Sequence, residues 1–355
     1  MRPARARIDL GALRHNLALA KQRSPDARVW AVVKANAYGH GMARTWRAFQ
    51  AADGLALLEV EDALWLREQG WAKPLLMLEG FFDDEDLNVF ARHRLTAVVH
   101  HAEQLEIIER SMLESRIDVY LKINTGMNRL GFRPGDARAA LARLRNSGKT
   151  GAITLMTHFS DADGPRGVAE PLAAFEAVTR GLALPASIAN SAALLRFPQT
   201  HRDWVRPGLL LYGCSPFEGH AARDFGLVPA MTLTSRIIAV QDLDPGERVG
   251  YAGMFTADRA MRVGVVAMGY ADGYPRHANV GTPVLVGGRR SHMLGRVSMD
   301  LLCVDLSAMP DAGIGSEVTL WGEGLSADEV AASAGTVSYE LLCALSARVP
   351  VDVVG

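Results

Sequence analysis

The chain has 355 residues, a formal net charge of −1, 49% hydrophobic and 22% charged residues, enough for two domains with a large core and, with its arginines scattered, a poor match for a sequence-independent grip on nucleic acid or an anionic membrane. It has no run of about 18 apolar residues, and its start, MRPARARIDLGAL, has no apolar signal-peptide core. Cys214, Cys303 and Cys343 follow no disulfide framework or metal spacing, so buried thiols in a reducing, cytoplasmic setting and no bound metal are expected.

The first two-thirds of the chain alternates. Short apolar runs at 29–33, 54–58, 74–78, 95–100, 117–123, 152–159, 187–190 and 209–212 are mostly continuous, as in strands buried on both faces of a parallel sheet. Between them lie helical stretches at 42–52, 59–69, 83–92, 102–113, 134–146 and 170–181, with Pro134 just inside one start and Gly70 just past one end. Eight strands alternating with helices predict an α/β (β/α)8 barrel of the TIM type. An open doubly wound sheet is the alternative, but no glycine-rich dinucleotide fingerprint follows the first run and the count of eight favours closure. After about Gly226 the texture changes. Runs at 231–241, 262–268, 282–286, 292–297, 301–306 and 317–321 are separated by turn signals such as DLDPGE, VGGRR and MPDAGIG, and helical pattern returns only at 326–334 and 338–347. The expected plan is therefore a barrel over 1–228 and a smaller, mainly β C-terminal domain over 229–355.

A barrel carries its functional groups at the C-terminal ends of its strands. Lys34 follows the first run, His100 ends the fourth, Lys122 lies late in the fifth and His158 late in the sixth; Asn190 and Ser191 end the seventh and Tyr212 the eighth. One such lysine or histidine is usually a structural hydrogen bonder, but several on one rim need compensating partners. Lys34 sits in AVVKANAYGHG, residues 31–41. A lysine on a rigid strand end in an enclosed site loses pKa by desolvation and can form a Schiff base with an aldehyde; from position alone a salt bridge is an equal alternative.

The string AVVKANAYGHG resembles the pyridoxal-phosphate signature of the alanine racemases, a family of barrel-type (fold type III) enzymes. The resemblance continues through LKINTGMNRLGF (121–132), MTHFSDAD (156–163), NSA (190–192), VRPGLLLYG (205–213), VGYAGMF (249–255), MGYADGYPR (268–276), GRVSMD (295–300) and YELLCALSARVP (339–350), in family order over most of the chain. It implies pyridoxal-phosphate-dependent interconversion of L- and D-alanine by two bases. Lys34 would be the aldehyde anchor and the D-face base. Tyr251, contributed by the neighbouring subunit of an obligate homodimer with shared active sites, would be the L-face base. It further implies phosphate contacts from Tyr38, Ser191, Tyr339 and the backbone at Gly208 and Leu209, with Asn190 beside them. Arg206 would face the ring nitrogen; because arginine only donates, it requires a neutral, accepting nitrogen. His158 and Arg206 would tune the tyrosine's proton. Arg129 and the Met299 backbone would hold the substrate carboxylate, Lys122 matches a lysine often carbamylated, and Tyr270, Arg276 and Asp300 match the substrate access channel.

Three departures from the family pattern stand out: Ala252 where glycine is usual after the catalytic tyrosine, Asn124 where aspartate is common, and RVPVDVVG, which lacks the second arginine frequent after RVP. Broader amino-acid racemisation, decarboxylation of basic amino acids by the related barrel enzymes, and a non-catalytic cofactor carrier are the competing readings. The VGYAGMF and GRVSMD blocks and Arg206 favour a racemase over a decarboxylase, and the second domain disfavours a lone-barrel carrier.

Overall fold

The computed structural model describes residues 2–355, which divide into two compact units. One unit holds residues 17–37 and 49–211. Its eight strands close in chain order into a parallel barrel: β2 (Arg28–Val32), β3 (Gly54–Leu57), β4 (Leu75–Met77), β5 (Thr96–Val99), β6 (Ile117–Lys122), β7 (Thr150–Met156), β8 (Ala186–Ser187) and β9 (Trp204–Val205). The strand preceding them, β1 (Arg5–Asp9), belongs to the other unit. β3, β4 and β5 are buried along their whole length, which is why they read as unbroken apolar runs. The ring closes where Arg28 and Val29 pair with Trp204 and Val205. Trp30 fills the interior near this seam, stacked on Trp204 at 4.4 Å and donating from Nε1 to the Tyr120 hydroxyl at 2.8 Å. Gly54 opens β3 because a Cβ there would overlap the Trp30 ring.

The eighth strand differs from the expected one. The 209–212 run forms a 3-10 turn, Leu209–Tyr212, and the strand is Trp204–Val205. Both segments are buried, so burial pattern does not distinguish them, and Arg206 interrupts the apolar signal directly after the true strand. The helices between strands follow the expected stretches with ends shifted by up to three residues. Pro134 lies outside its helix, which spans Ala137–Asn146; the Arg133 carbonyl instead accepts from Asp136 and Ala137 N–H in a preceding turn. The 42–52 stretch splits into Met42–Thr45 and a 3-10 turn, Trp46–Phe49.

The other unit holds the N-terminal stretch to Asn16, residues 38–48 and residues 212–355. Its strands are β1, β10 (Met231–Leu243), β11 (Arg248–Val249), β12 (Phe255–Thr256), β13 (Met261–Val266), β14 (Pro283–Val286), β15 (Arg289–Leu294), β16 (Leu302–Asp305), β17 (Glu317–Trp321) and β18 (Val351–Val354). Eight of them form one sheet in the order β13-β16-β15-β14-β17-β10-β1-β18, and β10 also pairs with β13 through its second half. The N-terminal strand β1 and the helix after it, Leu10–Arg23, lie outside the expected elements. Only one of the three thiols is buried: Cys214 is, Cys303 is half-buried, and Cys343, at the end of the helix Ser338–Cys343, is exposed. Among the described residues no helix is long and apolar enough to cross a membrane, and no His, Cys, Asp and Glu group could hold a metal ion.

Candidate active site

Lys34 stands just beyond β2, half-buried. The backbone turns left-handed directly after it. Ala35, Asn36, Ala37 and Tyr38 all have φ of 52–54°, and the Ala37 N–H donates to the Val33 carbonyl at 2.8 Å. Each non-glycine residue in that conformation costs about 1–2 kcal/mol, strain that persists only where surrounding structure imposes it. The effect is to stop the strand at its lysine, so the amine remains on the barrel rim.

The other strand ends of this unit carry matching groups. Lys122 is the last residue of β6 and 6% exposed; His158 lies two residues past β7 and Arg206 directly past β9. Arg206 donates from Nη1 to the Ser187 carbonyl (2.6 Å) and hydroxyl (2.8 Å), and from Nη2 to the Thr157 carbonyl (2.6 Å) and His158 Nδ1 (3.4 Å). Because a guanidinium only donates, His158 Nδ1 must be unprotonated and its proton sits on Nε2. Burial pushes the His158 pKa well down, and the charges of Arg206, Lys122, Arg129 and Lys34 push it further. The Lys122 amine falls from 10.5 to about 8, first through burial and then through Arg206, Arg129 and Lys34, with Glu79 opposing. Burial lowers even Arg206 to about 10. This rim is built for anions. His100, at the end of β5, instead binds the Glu79 carbonyl through Nε2 at 2.9 Å, and burial takes its pKa to about 4, a structural role.

Asn190 caps the helix Ser191–Arg196, its Oδ1 accepting from Ala193 N–H at 3.0 Å. The buried Ser191 hydroxyl accepts from the Gly208 N–H (2.9 Å) and the Leu210 N–H (3.4 Å), leaving its own O–H to donate. Arg129 is exposed on the loop after β6, whose base is pinned where Phe132 N–H donates to the Lys122 carbonyl and Asn124 N–H to the Phe132 carbonyl. Asn124 organises the tip: its Oδ1 accepts from Gly126 and Asn128 N–H, and its Nδ2 donates to Asn128 Oδ1. An aspartate would keep the first two bonds and lose the third.

The second unit supplies a separate set. Tyr38 is buried and stacked on Tyr212 at 4.6 Å, with the Tyr339 ring 6.0 Å away. Burial, then Tyr339 and Cys343, raise the Tyr38 pKa so that its phenol stays a neutral donor. Gly39 permits this cluster: its φ is +76°, and a Cβ would overlap the Leu342 carbonyl oxygen. Tyr251 is 71% exposed on the 3-10 turn Tyr251–Gly253 between the paired strands β11 and β12. Ala252 has φ 63°, which accounts for the advantage glycine has there. Met299 is 54% exposed, Tyr270 and Arg276 are exposed, and the Asp300 carboxylate is held by Arg348 Nη2 at 2.7 Å.

Ser187 and Thr157 were not legible as functional residues. Both act on Arg206, Ser187 through its hydroxyl and carbonyl and Thr157 through its carbonyl; the signal available in sequence was their position at strand ends. In the barrel unit the residues fit pyridoxal phosphate: the Ser191 hydroxyl, free to donate, suits a phosphate dianion, and Arg206 is a donor with no acceptor function to offer a ring nitrogen; in the other unit the neutral Tyr38 phenol is likewise a donor.

Residues 8–216 match the model of the alanine racemase N-terminal domain and residues 230–353 that of the alanine racemase C-terminal domain. The chain is 55% identical over 355 residues to an alanine racemase of Ralstonia pickettii, covering 99% of this chain and 95% of the relative. It is 51% identical to a catabolic alanine racemase of Salmonella typhimurium, covering 98% of each. Among solved structures, the biosynthetic alanine racemase of Pseudomonas aeruginosa superposes with a TM-score of 0.97 at 45% identity over 100% of both chains.

Proposed function

The chain belongs to the alanine racemase family, and from that premise we propose that it interconverts L- and D-alanine in the cytoplasm, using pyridoxal 5'-phosphate anchored on Lys34. The observation that carries this is the gathering of Lys34, Lys122, Arg129 and Arg206 around His158 at one barrel rim, where burial first and then those four charges depress the pKa of His158.

The cofactor, when bound, supplies an aldehyde for amines and an electron-withdrawing ring that acidifies the substrate Cα–H. Lys34 Nζ would hold it and would exchange a proton on the D face of Cα. Tyr251 of the partner subunit exchanges a proton through its phenol oxygen on the L face. Its 71% exposure in the single chain supports a role completed only in a homodimer with shared active sites. Arg206 would hold the ring nitrogen, and because a guanidinium only donates, it would favour the unprotonated form of that nitrogen. Neutral His158 and Arg206 set the proton affinity of the tyrosine. Tyr38, Ser191, Tyr339 and the backbone around Gly208 and Leu209 would hold the phosphate, with Gly208 N–H donating to the Ser191 hydroxyl and Asn190 capping the helix that Ser191 begins. Arg129 and the Met299 N–H orient the substrate carboxylate. Tyr270, Arg276 and Asp300 line the approach, and the working division of labour is a cofactor domain over 1–228 and a second-base domain over 229–355.

Lys122 takes the carbamylated form in this reading. Its amine is buried among cations, and its pKa of about 8 leaves about a tenth of it neutral at pH 7. The neutral amine would add to carbon dioxide, forming an N–C bond and releasing its proton to solvent, so an anion would replace a repelled cation among Arg206, Arg129 and Lys34. Intact mass before and after acid treatment decides it: a loss of one carbon dioxide is expected, and an unchanged mass removes this step.

The test of the whole is direct. Purified protein should absorb in the visible and form D-alanine from L-alanine; Lys34→Ala should lose both, and Tyr251→Phe should keep the colour but not turnover. Mixing the two inactive variants under subunit exchange should restore about a quarter of wild-type activity by random pairing. A protein that takes up no cofactor and leaves alanine's handedness unchanged would refute the reading, and absent complementation would refute the shared site.

A further inference from the structure

Four charged side chains link both ends of the chain to one loop pair. Asp272 is 1% exposed. Its Oδ2 accepts from Arg2 Nη2 (2.9 Å) and the Gly269 N–H (2.9 Å), and its Oδ1 from Arg348 Nε (2.7 Å). Arg348 Nη2 continues to Asp300 Oδ1 at 2.7 Å, and Arg2 Nη2 also donates to the Asp300 carbonyl at 3.1 Å. The Asp272 carbonyl accepts from Ser346 N–H at 3.1 Å. A buried carboxylate with this much compensation fixes the backbone around it.

That backbone lies directly against residues 298–300. The Ser298 carbonyl accepts from Tyr270 N–H (3.1 Å) and the Met299 carbonyl from Ala271 N–H (3.0 Å), while Ser298 N–H donates to the Leu301 carbonyl (2.9 Å). Gly269 allows the contact, since a Cβ there would overlap the Ser298 and Met299 carbonyls. Three successive carbonyls, 298, 299 and 300, are thus occupied. The Met299 N–H has no hydrogen-bond partner among the described residues. A peptide unit is planar, so holding the Ser298 carbonyl on one side fixes the Met299 N–H on the other.

We propose that the Arg2–Asp272–Arg348–Asp300 network is a positioning device that presents the Met299 N–H to the substrate carboxylate. It rests on the racemase reading, in which that N–H is a carboxylate donor. None of the four touches the reacting atoms. Their effect passes through the 269–272 turn, so it falls on carboxylate capture, which both enantiomers share.

The test uses the cofactor-loaded enzyme. Arg348→Ala removes the links to both aspartates while Arg2 still pairs with Asp272. The expected result is a KM for L- and D-alanine raised about tenfold in both directions, with kcat within about threefold. The inhibition constant of ethylamine, which lacks the carboxylate, should be unchanged, and Arg348→Lys should recover part of the loss. A folded Arg348→Ala enzyme with parental KM, or one whose ethylamine affinity falls as far as its alanine affinity, would overturn the proposal. If Arg348→Ala does not fold, Arg2→Ala decides by the same criteria. Wild-type enzyme inert toward alanine would sink the racemase reading itself; active wild-type with unmoved variants sinks only the network.

Discussion

Replacing Gly39 with alanine tests whether the Tyr38–Tyr339 pair depends on backbone contact. Gly39 has φ +76°, and an added Cβ would lie 2.8 Å from the Leu342 carbonyl carbon and 3.2 Å from Cys343 Cα. A non-glycine residue in the left-handed region costs about 1–2 kcal/mol. Overlap with backbone atoms, which cannot rotate away, adds about 1–3 kcal/mol. The total of about 2–5 kcal/mol is a large part of a domain's typical 5–15 kcal/mol, roughly, of net stability. Relief requires the helix Ser338–Cys343 to move, and Tyr339 moves with it. Gly148→Ala is the matched control: φ is +68° with nothing within 4 Å, so only the backbone cost applies. Urea unfolding of both variants and titration with pyridoxal phosphate make the comparison. Gly39→Ala should lose at least about 2 kcal/mol and bind cofactor about tenfold more weakly, whereas Gly148→Ala should bind it normally. Equal destabilisation in the two variants, with parental cofactor affinity in Gly39→Ala, would refute the argument.

Two further substitutions probe charge and strain. Below about pH 8 Lys122 is protonated in both folded and unfolded chains, and the folded state carries the full cost of a buried cation; between about 8 and 10.5 only the unfolded chain keeps the proton, so stability rises with pH. Lys122→Met in carbon-dioxide-free buffer should therefore stabilise the apoprotein by up to about 3 kcal/mol at neutral pH, an advantage that fades toward pH 10.5; a variant no more stable at neutral pH counts against it. Ala252→Gly relieves about 1–2 kcal/mol of left-handed strain and gives back about 0.4–1 kcal/mol through the looser unfolded chain. A net gain of about 0.5–1 kcal/mol in chemical unfolding is expected, and a loss would show that the Ala252 methyl group packs usefully.

Much of this architecture was legible in the residues. Parallel strands buried on both faces write themselves as unbroken apolar runs, so six of the eight barrel strands, β2 to β7, the alternation with helices and the change to a β-rich texture near Gly226 could all be read, and with them the rim positions of Lys34, Lys122 and His158; the seventh run, 187–190, meets the observed strand Ala186–Ser187 only at Ser187. A strand of two residues, Trp204–Val205, is too short to carry a period, and the fully buried 3-10 turn after it imitates a strand. Periodicity says which residues are hidden from water, and it is silent on what hides them. The neutral tautomer that Arg206 imposes on His158, and the union of Asp272 with Arg2 and Arg348 across 270 and 76 positions, arise from contacts between segments remote in sequence. Only the folded chain brings those partners within hydrogen-bonding distance, so only the tertiary structure could decide them.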